Sequence, residues 1–203
     1  MRDAPRVNRT GLTRRAMLLA APALGLARLH AAPAGNGPWP PVFETGRSQF
    51  TVVRPRAPMP PLRLQDLRGR DVVLSAKPGR VTLINFWATW CAACRLDLPV
   101  IASLARSRSD GLDVHAICTD TRDLGKITRF LGSLSTQNLL SYVDAYGVAV
   151  AAGDPTDAAF RLIGMPVTYL IGRSNRIEGY ITGAADWLSP AGTALLQFYR
   201  EEA

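Results

Sequence analysis

From Leu62 onward the apolar positions fall in short runs whose period alternates between that of a strand and that of a helix. The run Val81-Thr82-Leu83-Ile84-Asn85-Phe86-Trp87 is apolar on both faces, which predicts a central strand covered on both sides. From Cys94 to Arg108 apolar residues recur at 96, 98, 101, 104 and 105 with charges elsewhere, the pattern of an amphipathic helix. Val114 to Cys118 predicts a second buried strand, Thr121 to Leu134 a second helix, Leu139 to Val143 a short strand and Pro155 to Leu162 a short helix. Val167–Ile171 and Ile177–Thr182 flank a polar turn in which Asn175 tolerates a positive φ. A last helix begins where Ser189 can cap it and Pro190 occupies its first position, at which no amide donor is missed. Such alternation predicts a three-layer α/β domain built on a mixed sheet. The chain has no internal repeat.

The first sixty residues read differently. Residues 1–34 carry a basic stretch, an apolar stretch from Ala16 to Leu29 and then small residues, the order of an export signal, with cleavage expected after Ala31 or Ala34. Thr13-Arg14-Arg15-Ala16-Met17-Leu18 resembles the twin-arginine motif, although Arg14 and Arg15 also supply the charge that any signal needs. The apolar run is about 14 residues against the roughly 20 needed to span a bilayer, which favours a cleaved signal over an anchor. Residues 35–60 read as a proline-rich linker, with an edge strand available at 49–53, and residues 61–203 as the folded domain.

The net charge of +8 changes meaning once it is located. Residues 1–34 hold six arginines and one acid, leaving 18 basic and 15 acidic side chains on the rest. That balance does not make a phosphate-binding stripe, so no nucleic-acid partner is expected. No uninterrupted apolar run reaches 18 residues, which excludes a multi-span membrane protein.

The chemistry lies in Trp90-Cys91-Ala92-Ala93-Cys94, directly after the predicted central strand and at the start of a helix. A sulfur at a helix N-terminus faces unpaired amide donors and the positive end of the dipole, which favour thiolate over thiol. Spaced three residues apart on a first turn, one cysteine can attack a partner disulfide and the other can resolve the mixed disulfide. Other uses fit less well. Zinc needs two further ligands, and the chain offers only His30, His115 and Cys118 besides the pair. Covalent haem attachment requires His after the second cysteine, where Arg95 stands. A structural disulfide over so short a loop contributes little chain entropy. Cys118, inside an apolar run, reads as a small buried hydrophobe. No metal and no organic cofactor is expected.

The segment Asn85-Phe86-Trp87-Ala88-Thr89-Trp90-Cys91-Ala92-Ala93-Cys94-Arg95-Leu96-Asp97-Leu98-Pro99 resembles the active-site stretch of the exported thioredoxin-like family of TlpA/ResA type. Gly164-Met165-Pro166-Val167 resembles that family's cis-proline stretch, Leu62 to Leu74 its N-terminal hairpin, and Gly183-Ala184-Ala185-Asp186-Trp187 the stretch before its last helix. The resemblance implies a thioredoxin-like three-layer α/β fold with a central mixed sheet and an N-terminal β-hairpin extension. It implies Cys91 as attacking and Cys94 as resolving cysteine, Pro166 as a cis-proline beside them, and Met165 and Trp90 as the surface that meets an extended substrate. Trp87 is expected to be partly core and Pro99 to kink the helix. The chain departs from the family in Ala92-Ala93 between the cysteines, in Asp97 where relatives carry a longer acid, and in Gly172 where they carry an acid. For Asp97 the residues leave open a catalytic role or a solvated position on the helix.

By this resemblance the protein is a periplasmic reductant of disulfides in exported proteins awaiting haem attachment or copper insertion, itself re-reduced by a membrane electron-transfer protein. An oxidant or isomerase of the same fold would carry the same pair, so the residues alone leave the direction open. A Sco-type copper chaperone needs one more residue between its cysteines, and a peroxiredoxin needs a Pro-x-x-x-Thr-x-x-Cys context that is missing around Cys91.

Overall fold

The computed structural model describes residues 39–107, 110–120, 122–147, 149 and 160–202. The segment read as an export signal lies outside them, as does most of the expected helix over 155–162, of which residues 160–162 are not helical. One eight-stranded sheet runs β1-β8-β7-β4-β5-β6-β2-β3. Its strands are β1 (Thr51–Val52), β2 (Leu62–Asp66), β3 (Asp71–Leu74), β4 (Val81–Trp87), β5 (Leu112–Cys118), β6 (Ser141–Val143), β7 (Val167–Ile171) and β8 (Ile177–Thr182). Helices α1 (Ala92–Arg106), α2 (Leu124–Ser133) and α3 (Pro190–Glu201) complete the described elements.

Every residue of β4 is buried, as a run apolar on both faces predicts. It pairs in parallel with β5 and antiparallel with β7, so it lies in the middle of the mixed sheet. Val81, Leu83 and Trp87 face a cluster that includes Leu98 and Ile101 of α1, Ile127 and Leu131 of α2, and Leu195 and Tyr199 of α3. Ile84 and Phe86 face the opposite cluster with Leu62, Leu64, Phe160 and Tyr169. The Leu62–Leu74 hairpin extends the far edge of the sheet through β2 and β6.

The stretch expected as a linker is bound to the domain from residue 43 onward. Phe43 lies 4.9 Å from the Trp187 ring, Phe50 lies 6.1 Å from Tyr199, and Thr51–Val52 pair with β8. The prolines keep this strap extended, while its widely spaced apolar side chains supply burial worth about 1.5–3 kcal/mol each. Gly179 of β8 makes the crossing feasible, because any side chain there would run into the Phe50 ring and the Thr51 carbonyl. At the other end, Arg54 and Arg56 of the strap lie 3.6 and 3.0 Å from the buried carboxylate of Glu178. Glu178 also occupies the space over Gly172, which explains why no acid stands at 172.

Candidate active site

The buried β4 ends at Trp87, and α1 begins after four intervening residues. Cys91 is the N-cap of α1, with φ −80° and ψ 113°, and its sulfur accepts the amide of Cys94 at 3.1 Å. A cap sulfur so placed takes up one of the orphan donors of the first turn, which no acidic side chain in that turn opposes. Cys91 and Cys94 are joined in a disulfide. Cys91 keeps 4% of its surface exposed and Cys94 none, so a partner reaches the pair from the Cys91 side. Beside them Trp90 is 70% exposed, whereas Trp87 is fully buried and stacks on Phe130 at 5.2 Å. The Arg95 guanidinium lies 4.7 Å from the centroid of the same Phe130 ring, and Trp87, with no exposed surface, is wholly core.

The Met165–Pro166 peptide bond is cis, as expected from the resemblance. Val167, the next residue, pairs with Phe86 near the end of β4, which brings Pro166 to the end of the sheet where the cysteine segment emerges. The Pro166 carbonyl accepts the amide of Gly183 at 2.7 Å, tying this loop to the one after β8. Met165 is half-buried and packs on the cluster that contains both cysteines.

Two positions of α1 exchange the environments read from the sequence. Leu96, counted on the apolar face, is 71% exposed, while Asp97 is fully buried. The buried stripe runs through 94, 97, 98, 101 and 104, following the 3.6-residue period, and Leu96 falls off it. Asp97 therefore shares the inner face of α1 with Cys94, one turn away. Its carboxylate accepts Asn85 Nδ2 at 2.6 Å and the Ala185 amide at 3.1 Å. Asn85 Nδ2 also donates to Thr168 Oγ1 at 2.9 Å, so β4, β7, α1 and the loop after β8 meet at one carboxylate. Burial pushes the Asp97 pKa up to about 6, against the pull of the Ala185 and Asn85 hydrogen bonds toward the ionised form. The solvated reading of Asp97 is thus corrected. No local signal marks its burial, because Asn85 and Ala185 are remote in sequence.

Cys118 is buried outside the disulfide. Among the described residues no group of three or more His, Cys, Asp and Glu side chains is placed to hold a metal ion. No helix among them is long and apolar enough to cross a membrane.

The family model for Redoxin matches residues 54–195, well over half the chain. The thioredoxin-like protein YneN of Bacillus subtilis is 26% identical over 143 residues, 70% of this chain and 79% of its own length. The thiol-disulfide oxidoreductase ResA of Bacillus subtilis is 26% identical over 125 residues, 59% of this chain and 63% of its own length. The match therefore spans a little under two thirds of ResA. Among solved structures, a Chlorobium tepidum protein described as a thiol:disulfide interchange protein of DsbE type superposes with a TM-score of 0.51 at 27% identity, covering 70% of this chain and 93% of that one.

Proposed function

The chain belongs to the Redoxin family, among the thioredoxin-like thiol–disulfide oxidoreductases of TlpA/ResA type, and from that premise we propose that it reduces disulfides in exported proteins. The observation that carries this reading is the pair at the start of α1, where of the two only Cys91 has exposed surface and its sulfur accepts the Cys94 amide. In the dithiol form, the Cys91 thiolate attacks one sulfur of the partner's disulfide. That bond breaks, the partner's other sulfur leaves as thiolate, and a mixed disulfide forms on Cys91. Cys94 then loses its proton to the Asp97 carboxylate and attacks the Cys91 sulfur. The partner's second thiolate leaves and the Cys91–Cys94 disulfide forms. Two electrons pass to the partner, which ends as a dithiol. A membrane electron-transfer protein of dithiol type returns the pair to the reduced form. Partners awaiting haem or copper need free thiols before they bind metal, which fits a reductant in the periplasm. The export signal read in residues 1–34 supports that location.

Reduction of insulin disulfides with dithiothreitol as terminal reductant tests the reading. The wild type should accelerate it, and Cys91→Ser should return the rate to the uncatalysed level. An active Cys91→Ser protein would place the chemistry elsewhere.

Asp97 makes a prediction in two readouts. Its folded pKa near 6 exceeds the ordinary 3.8, so the folded form holds a proton that the unfolded form has already released. The associated stability is complete below the ordinary value and is lost as pH rises through about 6. Above that pH the buried carboxylate carries a cost of about 2–3 kcal/mol. Asp97→Asn should therefore be more stable than wild type at pH 7.5, with the advantage shrinking toward pH 5, as read by thermal unfolding. The same variant should lose on the order of ten- to a hundredfold in turnover through the missing proton acceptor. Unchanged turnover would assign Asp97 to structure alone.

A further inference from the structure

Between the end of β4 and the start of α1 the chain runs free of both elements, and the residue before Trp90 is gripped from outside. The Thr89 amide donates to Asp120 Oδ1 at 3.0 Å and the Thr89 hydroxyl to Asp120 Oδ2 at 2.6 Å. Asp120 follows the end of β5, on the way to α2. The Cys118 thiol donates to Oδ1 at 3.1 Å, and Lys126 Nζ on α2 stands 3.9 Å from Oδ2. One residue earlier, the Thr119 amide donates to the Trp87 carbonyl at 3.1 Å, so the β4–β5 ladder hands over directly to the carboxylate. Thr89 is 7% exposed and Trp90, its neighbour, 70%. The buried residue is thus fixed and the exposed one is presented.

We propose that Asp120 is a positioning residue, which through Thr89 holds Trp90 and Cys91 in the arrangement that an incoming protein disulfide meets. This rests on the exchange chemistry proposed above. The clamp does not touch the sulfurs. Its effect is to order, before the encounter, a segment of four residues that would otherwise be ordered on binding. Both carboxylate oxygens are engaged by the one residue, which restrains the Thr89 backbone and its side-chain rotamer together.

The test compares insulin reduction by wild type, Asp120→Ala, Asp120→Asn, Thr89→Ala and the double alanine variant, each checked for native fold by circular dichroism. Asp120→Ala should raise KM about tenfold, the equivalent of one lost ordering contribution, with kcat changed less than about threefold. Asp120→Asn keeps a carbonyl for the Thr89 amide and an amide for the Thr89 hydroxyl oxygen, and should recover most of the loss. The double variant should lose no more than Asp120→Ala alone, since both substitutions remove one interaction. If Asp120→Ala does not fold, Thr89→Ala should still raise KM about threefold, because it keeps only the amide bond. An unchanged KM in the folded variants, equal damage from Ala and Asn at 120, or additive losses would each overturn the proposal. A wild type inert on insulin and indistinguishable from Cys91→Ser would instead remove the exchange reading beneath it.

Discussion

Serine at position 94 is expected to turn the protein from a catalyst into a trap. Cys91 keeps its place as N-cap and its exposed surface, so the first attack on a partner disulfide still occurs. The second step requires a sulfur nucleophile behind Cys91, and a serine hydroxyl does not displace a thiolate at neutral pH. Loss of one member of a set that acts as a unit costs more than about a thousandfold in turnover. The mixed disulfide on Cys91 should therefore accumulate. Non-reducing gels of cells making Cys94→Ser should show discrete adducts that collapse to the monomer on addition of reductant. The complementary variant, Cys91→Ser, should show none, because Cys94 is fully buried and cannot be reached by a partner. Adducts on Cys91→Ser but not on Cys94→Ser would reverse the two roles. Their absence from both, in cells where the wild type is active, would make the disulfide structural.

How much of this was legible before the fold was known depended on whether the cause was local. The strand Val81–Trp87 and the strands Val167–Ile171 and Ile177–Thr182 stand where the apolar runs put them, because most of their positions are buried and the few polar ones, such as Asn85 and Thr168, do not break the run. The last helix begins at Pro190, with Ser189 accepting the Gly192 amide, because capping is decided by neighbouring residues. Asn175, in the predicted turn, has φ 59°. Of the strap over residues 43–59 only the edge strand expected at 49–53 was legible, and it stands as Thr51–Val52 beside β8. Its composition is that of a linker, and only the fold provides Trp187 and Tyr199 for Phe43 and Phe50 to meet. The burial of Asp97 and the contacts of Asp120 were hidden for the same reason. Each is an acid whose setting is made by residues 12 to 88 positions away: Asn85 and Ala185 for the first, Thr89 for the second. In the site, therefore, the sulfurs could be named from their spacing and the cis-proline and Asp97 from the family resemblance, while the contacts that set Asp97 and Asp120 could not.

Direction of electron flow is the claim on which the proposed role turns, and the reduction potential of the Cys91–Cys94 couple tests it most directly. The amide on the Cys91 sulfur and the helix dipole stabilise the thiolate, and so the reduced form. Against this, the only guanidinium adjacent in sequence, Arg95, lies on the Phe130 ring, and the acid sharing the inner face with Cys94 is Asp97. Thiolate stabilisation should consequently be modest and the disulfide form comparatively stable, as a reductant requires. Thioredoxin, a reductant, lies at about −270 mV and a dedicated oxidant of the same fold at about −120 mV. That interval corresponds to about 7 kcal/mol for a two-electron couple, too wide for the Ala92-Ala93 dipeptide to obscure. Equilibration of the couple against glutathione or dithiothreitol, read by the fraction of alkylated thiols, should give a potential more reducing than about −200 mV. A value near −120 mV would contradict the account and make the protein a donor of disulfides to its partners.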